Sequence, residues 1–179
     1  TEEQAARTAR PFARLGPRMA EHAHTAADFL RGNPAAARLI LADSLLAVPG
    51  YLTVMYLQQR LSELGFPQAW LGVPVLLISL GRMAGTAAGA RLRPRSLLGL
   101  MAGCGAVIAL GTAAAGLGGS AALAAGGAIA AAAAMDAWYL HVQRRLNDMY
   151  PSDQRATLVS VNSMTYSVLM IAASPLTGR

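Results

Sequence analysis

From Ser96 to Met135 the chain runs forty residues without a charge, preceded by Arg91, Arg93 and Arg95 and followed by Arg144 and Arg145. At about 1.5 Å per helical residue this is about 60 Å of helix, enough for two crossings of a hydrocarbon core about 30 Å thick. The cluster Gly116-Leu117-Gly118-Gly119-Ser120 sits mid-run and supplies a turn, so the hairpin returns both arginine groups to one side. The fold class expected is all-α: a polytopic bundle of transmembrane helices.

Composition agrees. The chain is 54% hydrophobic, and its 13% charged content is about half the roughly 25% of soluble domains. All fifteen basic residues are Arg, and Ala and Gly are abundant, which reads as GC-rich, bacterial coding. The net charge of +6 comes from arginines flanking the spans, and no basic stripe interleaved with aromatics appears, so no nucleic-acid partner is expected. The lone Cys104 lies inside an apolar span and excludes a disulfide framework or a cysteine zinc site within the chain. His22 and His24, two positions apart, would point apart on a helix. Neither a metal site nor a cofactor is expected.

Five spans follow from the pattern, at about 35–57, 69–90, 96–115, 121–140 and 156–178. Residues 1–33 are polar, with a helix expected from Pro17 to Arg31 lying near the headgroups as a connector. Pro49-Gly50 inside the first span predicts a kink or break, because an interior proline removes a backbone hydrogen bond. Leu64-Gly65-Phe66-Pro67 marks the next turn, and Ser152 or Asp153 is expected to cap the fifth helix. The chain starts with Thr1, shows no cleavable signal segment, and ends immediately after a fifth span; both ends suggest a fragment. With a cytoplasmic amino-terminal segment, twelve arginines fall on the cytoplasmic side and only Arg60 and Arg179 on the other. The positive-inside rule therefore places the chain as a multi-pass protein of the cell membrane with its amino terminus in the cytoplasm.

Gly81, Gly85 and Gly89 recur every fourth residue, and Gly99 with Gly103 repeats the step; both are expected as helix-packing stripes. Three charges lie within spans: Asp43, Arg82 and Asp136. A charge at the bilayer centre costs at least about 2.5 to 3.5 kcal/mol and so needs protein, water or a partner. Counted from the nearest inner arginine, Asp43, Arg82 and Asp136 lie about 7, 13 and 12 Å deep. The matching depths predict an Arg82–Asp136 pair, with Asp43 either a second acid or an interfacial residue beside Arg38. A carboxylate desolvated at such a depth can carry a proton; the alternative is a static ion pair locking helices. Tyr51, Tyr56, Trp138 and Tyr139 are candidate cavity aromatics, although aromatics near span ends are more often interface anchors, and the same interfacial role is expected of His141.

The stretch Tyr139-Leu140, Asn147, Pro151, Arg155-Ala156-Thr157, Ser160, Asn162-Ser163-Met164, Ser167, Pro175 and Gly178 resembles the tenth-to-eleventh helix region of major facilitator superfamily transporters. Upstream, Tyr56-Leu57-Gln58 closing a helix, Leu64-Gly65 and Leu71-Gly72 fit the same pattern. The loop from Gly85 to Arg95 departs from it, sharing glycines and arginines but holding no acidic residue. The resemblance covers residues 33–179 and implies helices seven to eleven of a twelve-helix fold: 1–33 would close the central cytoplasmic loop, and 34–179 would be a partial carboxy-terminal six-helix domain. It implies that Asn147, Pro151, Arg155, Ala156, Thr157, Ser160 and Ser163 are family-motif residues, and that spans matching helices seven, eight, ten and eleven line a cavity while the third span, matching helix nine, stays outside. Arg155 would anchor to headgroups or tie to Asp148 or Asp153. Ser160, Ser163, Thr165 and Ser167 give the fifth span a partly polar face, for packing or for cavity lining.

The function expected is secondary active transport of a small molecule by alternating access, with proton-coupled efflux of lipophilic or cationic compounds preferred. Expected partners are the substrate, a proton, the lipid bilayer and the first six-helix half of the same protein. Uptake of a nutrient or metabolite is the alternative within the class. A membrane-embedded enzyme needs clustered nucleophiles, acids or metal ligands, which the chain does not show, so no enzyme activity is expected. A non-transport membrane scaffold is the remaining reading.

Overall fold

A computed structural model of the protein describes residues 27–152 and 154–177. Among these no strand occurs, and five helices are long and apolar enough to cross a membrane. We number them α1 (Pro34–Glu63), α2 (Gly72–Arg91), α3 (Leu97–Leu117), α4 (Ala121–Met149) and α5 (Arg155–Thr177). A short 3-10 helix, Gln68–Trp70, leads into α2. The make-up is that of a multi-pass membrane protein.

Two helices outlast their apolar stretches. α1 continues to Glu63 and α4 to Met149, each about two turns or more beyond the expected span ends at 57 and 140. Thirty residues make about 45 Å of helix, so the polar ends Gln58–Glu63 and His141–Met149 project past a core about 30 Å thick. Hydropathy stops where water begins; backbone hydrogen bonding does not.

Nor does Pro49 break α1, which is continuous through it. The Thr53 hydroxyl donates to the Pro49 carbonyl at 2.7 Å and to the Thr112 hydroxyl at 3.0 Å, tying α1 to α3 at that level. Pro74 falls in the first turn of α2, where the missing N–H would lack a helical partner in any case. α1 ends in a Schellman motif: Gly65, at φ +77°, lets its own N–H reach the Ser62 carbonyl and the Phe66 N–H reach Leu61. Ser96 and Ser120 cap α3 and α4, their hydroxyls accepting from Gly99 and Leu123 N–H. At α5 the cap position is Gln154, whose carbonyl accepts from Leu158 N–H, rather than Ser152; Asp153 lies outside the described residues.

α4 is the central helix, packed on α1, α2 and α3, while α5 packs on α1. Glycine explains the closeness at α2–α4. A Cβ on Gly81 would meet Ile129 at 2.7 Å, one on Gly85 would collide with the Ala133 backbone, and one on Gly89 would meet Ala137 at 3.0 Å. The α3–α4 contact uses Gly111 against Gly127 instead of the expected Gly99 and Gly103. Gly103 has open space around it and Gly99 meets only its own cap serine, so that second stripe does not pack helices.

Two apolar clusters hold the bundle. One gathers Ile40, Cys104, Trp138, Val142, Leu146, Tyr150 and Leu158; the other gathers Leu57, Leu61, Ile78, Ala115, Ala124, Ala128 and Ala132. Of the expected Pro17–Arg31 helix, residues 27–32 are helical, with Phe29 edge-on to Tyr150 at 6.0 Å; 17–26 lie outside the described residues. Leucines such as Leu98, Leu110 and Leu117 are exposed, as lipid-facing positions are.

Candidate functional site

Between the two clusters lies a cleft of about 330 Å³. α1 lines it with Asp43, Ser44, Ala47 and Tyr51, α2 with Arg82, α4 with Met135, Asp136 and Tyr139, and α5 with Asn162, Ser163, Tyr166 and Ser167. α3 contributes no lining residue. The cleft therefore draws on α1, α2, α4 and α5, and the charge-free helix α3 stays out.

Arg82 and Asp136 form a two-pronged ion pair across α2 and α4, Nε donating to Oδ2 at 3.1 Å and one terminal NH2 group to Oδ1 at 3.2 Å. Matching depth on neighbouring helices is what brings them together. The glycine-mediated approach of α2 to α4 shortens the span the guanidinium has to bridge. The Arg82 side chain is 48% exposed and that of Asp136 19%, so the pair forms a wall of the cleft rather than part of a dry core.

Asp43 does not sit at the interface beside Arg38. It is 6% exposed, and its Oδ1 accepts from the Trp138 indole N–H at 3.1 Å. The Asn162 side chain bonds the same carboxylate from α5. Among the described residues no cation pairs with Asp43, in contrast to Asp136. Beside it the Ser44 hydroxyl, on a residue 1% exposed, has no hydrogen-bond partner.

The aromatics divide. Trp138 is 1% exposed and is no interface anchor: because α4 runs on to Met149, the indole lies inside the bundle. Tyr51 and Tyr139 line the cleft, and Tyr51 meets Tyr166 edge-to-face at 6.2 Å. Tyr56 lies elsewhere, in a groove of about 830 Å³ along α1, α3 and α5 that also holds Arg60 and Glu63. His141 faces α2, its Nε2 2.8 Å from the Gly89 carbonyl.

The motif-like residues mostly build the α4–α5 turn. Arg155 donates to the Asn147 carbonyl at 3.4 Å rather than pairing with Asp148. Pro151 and Ala156 are exposed and Thr157 is half-buried. Ser160, Ser163, Thr165 and Ser167 each return their hydroxyl to the carbonyl four residues back, and of these only Ser163 and Ser167 reach the cleft.

Ser44, Met135 and Tyr166 complete the lining although residue type alone singles out none of them. Their signal is spacing. Asp43-Ser44, Ala47 and Tyr51 on α1, Met135-Asp136 and Tyr139 on α4, and Asn162-Ser163 with Tyr166-Ser167 on α5 each follow the helical step of three to four that keeps residues on one face.

Chemically, the cleft offers one balanced ion pair, one uncompensated carboxylate, hydroxyls and three phenol rings. No family model, no curated protein and no solved structure matches this chain.

Proposed function

We propose that the protein is a secondary active transporter of a small molecule, that it works by proton-coupled efflux, and that it is part of a major facilitator-type fold. One observation carries the reading: acids and an arginine from separate helices converge on a single cleft lying between two apolar clusters. Intramembrane ionisable residues that face a cavity mark substrate or proton pathways by physical necessity, since lipid cannot solvate them. Nothing in a purely structural scaffold requires a buried carboxylate without a cationic partner among the described residues, such as Asp43.

The arginines add an orientation. Arg60 donates to the Gly118 carbonyl at 3.1 Å, so α1 and α3 end together, and His141 at Gly89 brings the carboxy-terminal parts of α2 and α4 together at the other end of the bundle. The arginine-rich end, with Arg91, Arg93, Arg95, Arg144 and Arg145, then faces the cytoplasm of a cell membrane. The test is reconstitution into proteoliposomes with an imposed pH gradient. We expect proton flux that Asp43→Asn abolishes and Asp136→Asn lowers at least about tenfold; absence of flux from wild-type protein sinks the reading.

A further inference from the structure

We infer that the cleft is a binding site for a compact organic monocation, held by the Asp43 carboxylate and the rings of Tyr51, Tyr139 and Tyr166. The inference deepens the transporter reading by naming its substrate class, and the binding experiment below does not depend on transport.

Charge balance comes first. Both carboxylate oxygens of Asp136 are engaged by Arg82, so that pair is internally neutral. Asp43 is held by two neutral donors, the Trp138 indole and the Asn162 amide, and has no cationic partner among the described residues. When Asp43 is ionised, the cleft carries one unbalanced negative charge within the bilayer, a situation that a bound monocation relieves. An anion would meet that carboxylate directly, and the charge of Arg82 is already balanced by Asp136.

The walls supply the second half of the recognition. Aromatic faces attract cations through the ring quadrupole, and the attraction grows as the site loses water. Tyr51 and Tyr166 meet edge-to-face at 86°, and Tyr139 on α4 lines the same cleft, so three phenol rings from three helices share its wall. A volume of about 330 Å³ is at the lower end of ligand pockets, which suits a compact quaternary ammonium rather than an extended amphiphile.

A proton and the cation compete for the same carboxylate. The ionisable groups that line the cleft with Asp43 are Tyr51 on the same helix, Arg82 on α2, Asp136 and Tyr139 on α4 and Tyr166 on α5; Tyr150, just past α4, and Cys104, on α3, lie in the adjoining apolar cluster, and His141 is turned to the Gly89 carbonyl. Only Asp43 combines a carboxylate with the absence of a cationic partner, so acidification releases the ligand by protonating it.

The experiment measures equilibrium binding of radiolabelled benzyltrimethylammonium to the protein in lipid nanodiscs at pH 8, with phenylmethanesulfonate as an anion of similar size. Saturable binding of the cation alone is expected, and needs no variant. Asp43→Asn should weaken it at least about tenfold and remove its loss at pH 5. Tyr139→Leu, at an exposed position, should weaken it about threefold, while Tyr139→Phe keeps the ring and the affinity. Equal binding of the anion, undiminished binding by Asp43→Asn, or a pH dependence that survives in that variant overturns the inference. Proton flux without cation binding refutes this site and leaves the transporter reading standing; cation binding without flux does the reverse.

Discussion

Asp136 and Asp43 are the same residue type on helices that touch, yet the bundle treats them differently. Asp136 has a cation within 3.1 Å and a partly exposed side chain; Asp43 has neutral donors and 6% exposure. Because Arg82 is half exposed, its ion pair is not a desolvated core pair, and a double-mutant cycle with Arg82→Gln and Asp136→Asn on thermal unfolding should give a coupling below about 1 kcal/mol. A second residue-scale consequence concerns Tyr150, just past the end of α4, where burial and then the negative Asp43 push the phenol up to about 12. A phenol whose pKa is raised by folding contributes stability that is fully present below about pH 10 and lost as pH rises towards about 12. Its hydroxyl has no partner, so Tyr150→Phe should leave stability at pH 7 unchanged or slightly higher and flatten the alkaline loss, read as melting temperature from pH 8 to 12.

At the scale of elements, close helix approach decides which glycines matter. Gly81, Gly85 and Gly89 and Gly99 with Gly103 share one spacing, but only the first set meets a neighbouring backbone. Gly85→Val should therefore destabilise the bundle by at least about 1–3 kcal/mol by forcing α2 off α4, whereas Gly103→Val should be neutral within about 0.5 kcal/mol, both measured by thermal unfolding in detergent. A small-residue step in a sequence says that a helix can be approached closely; it does not say that anything does. Proline carries a similar lesson, since Pro49 signals a lost hydrogen bond and α1 nevertheless continues, with neighbouring helices holding it on both sides of the gap.

For the molecule as a whole, the paired helix ends make the topology measurable. Cysteines placed at Arg93 and at Gly119 should label with a membrane-impermeant maleimide from opposite sides of sealed vesicles, and the native Cys104, buried against Trp138 and Ile40, should stay silent. Labelling of both positions from one side would contradict the single crossing, α3, that lies between them. The two apolar clusters flank the polar cleft along the bundle: on α1 Ile40 and Leu57, and on α4 Ala132 and Val142, bracket the residues that line it.

Five helices long and apolar enough to cross a membrane, and the turns between them, were legible in the sequence, because transfer from water to hydrocarbon is a local property of each segment and needs no neighbour to be evaluated. The Arg82–Asp136 pair was legible for a related reason, since depth is counted along the helix. The partners of Asp43, the buried place of Trp138 and the share of Tyr166 and Ser44 in the cleft were decided only by the tertiary structure. Which face of one helix meets which face of the next depends on how closely α4 can be approached from three directions, and that follows from pairs of surfaces rather than from any one segment.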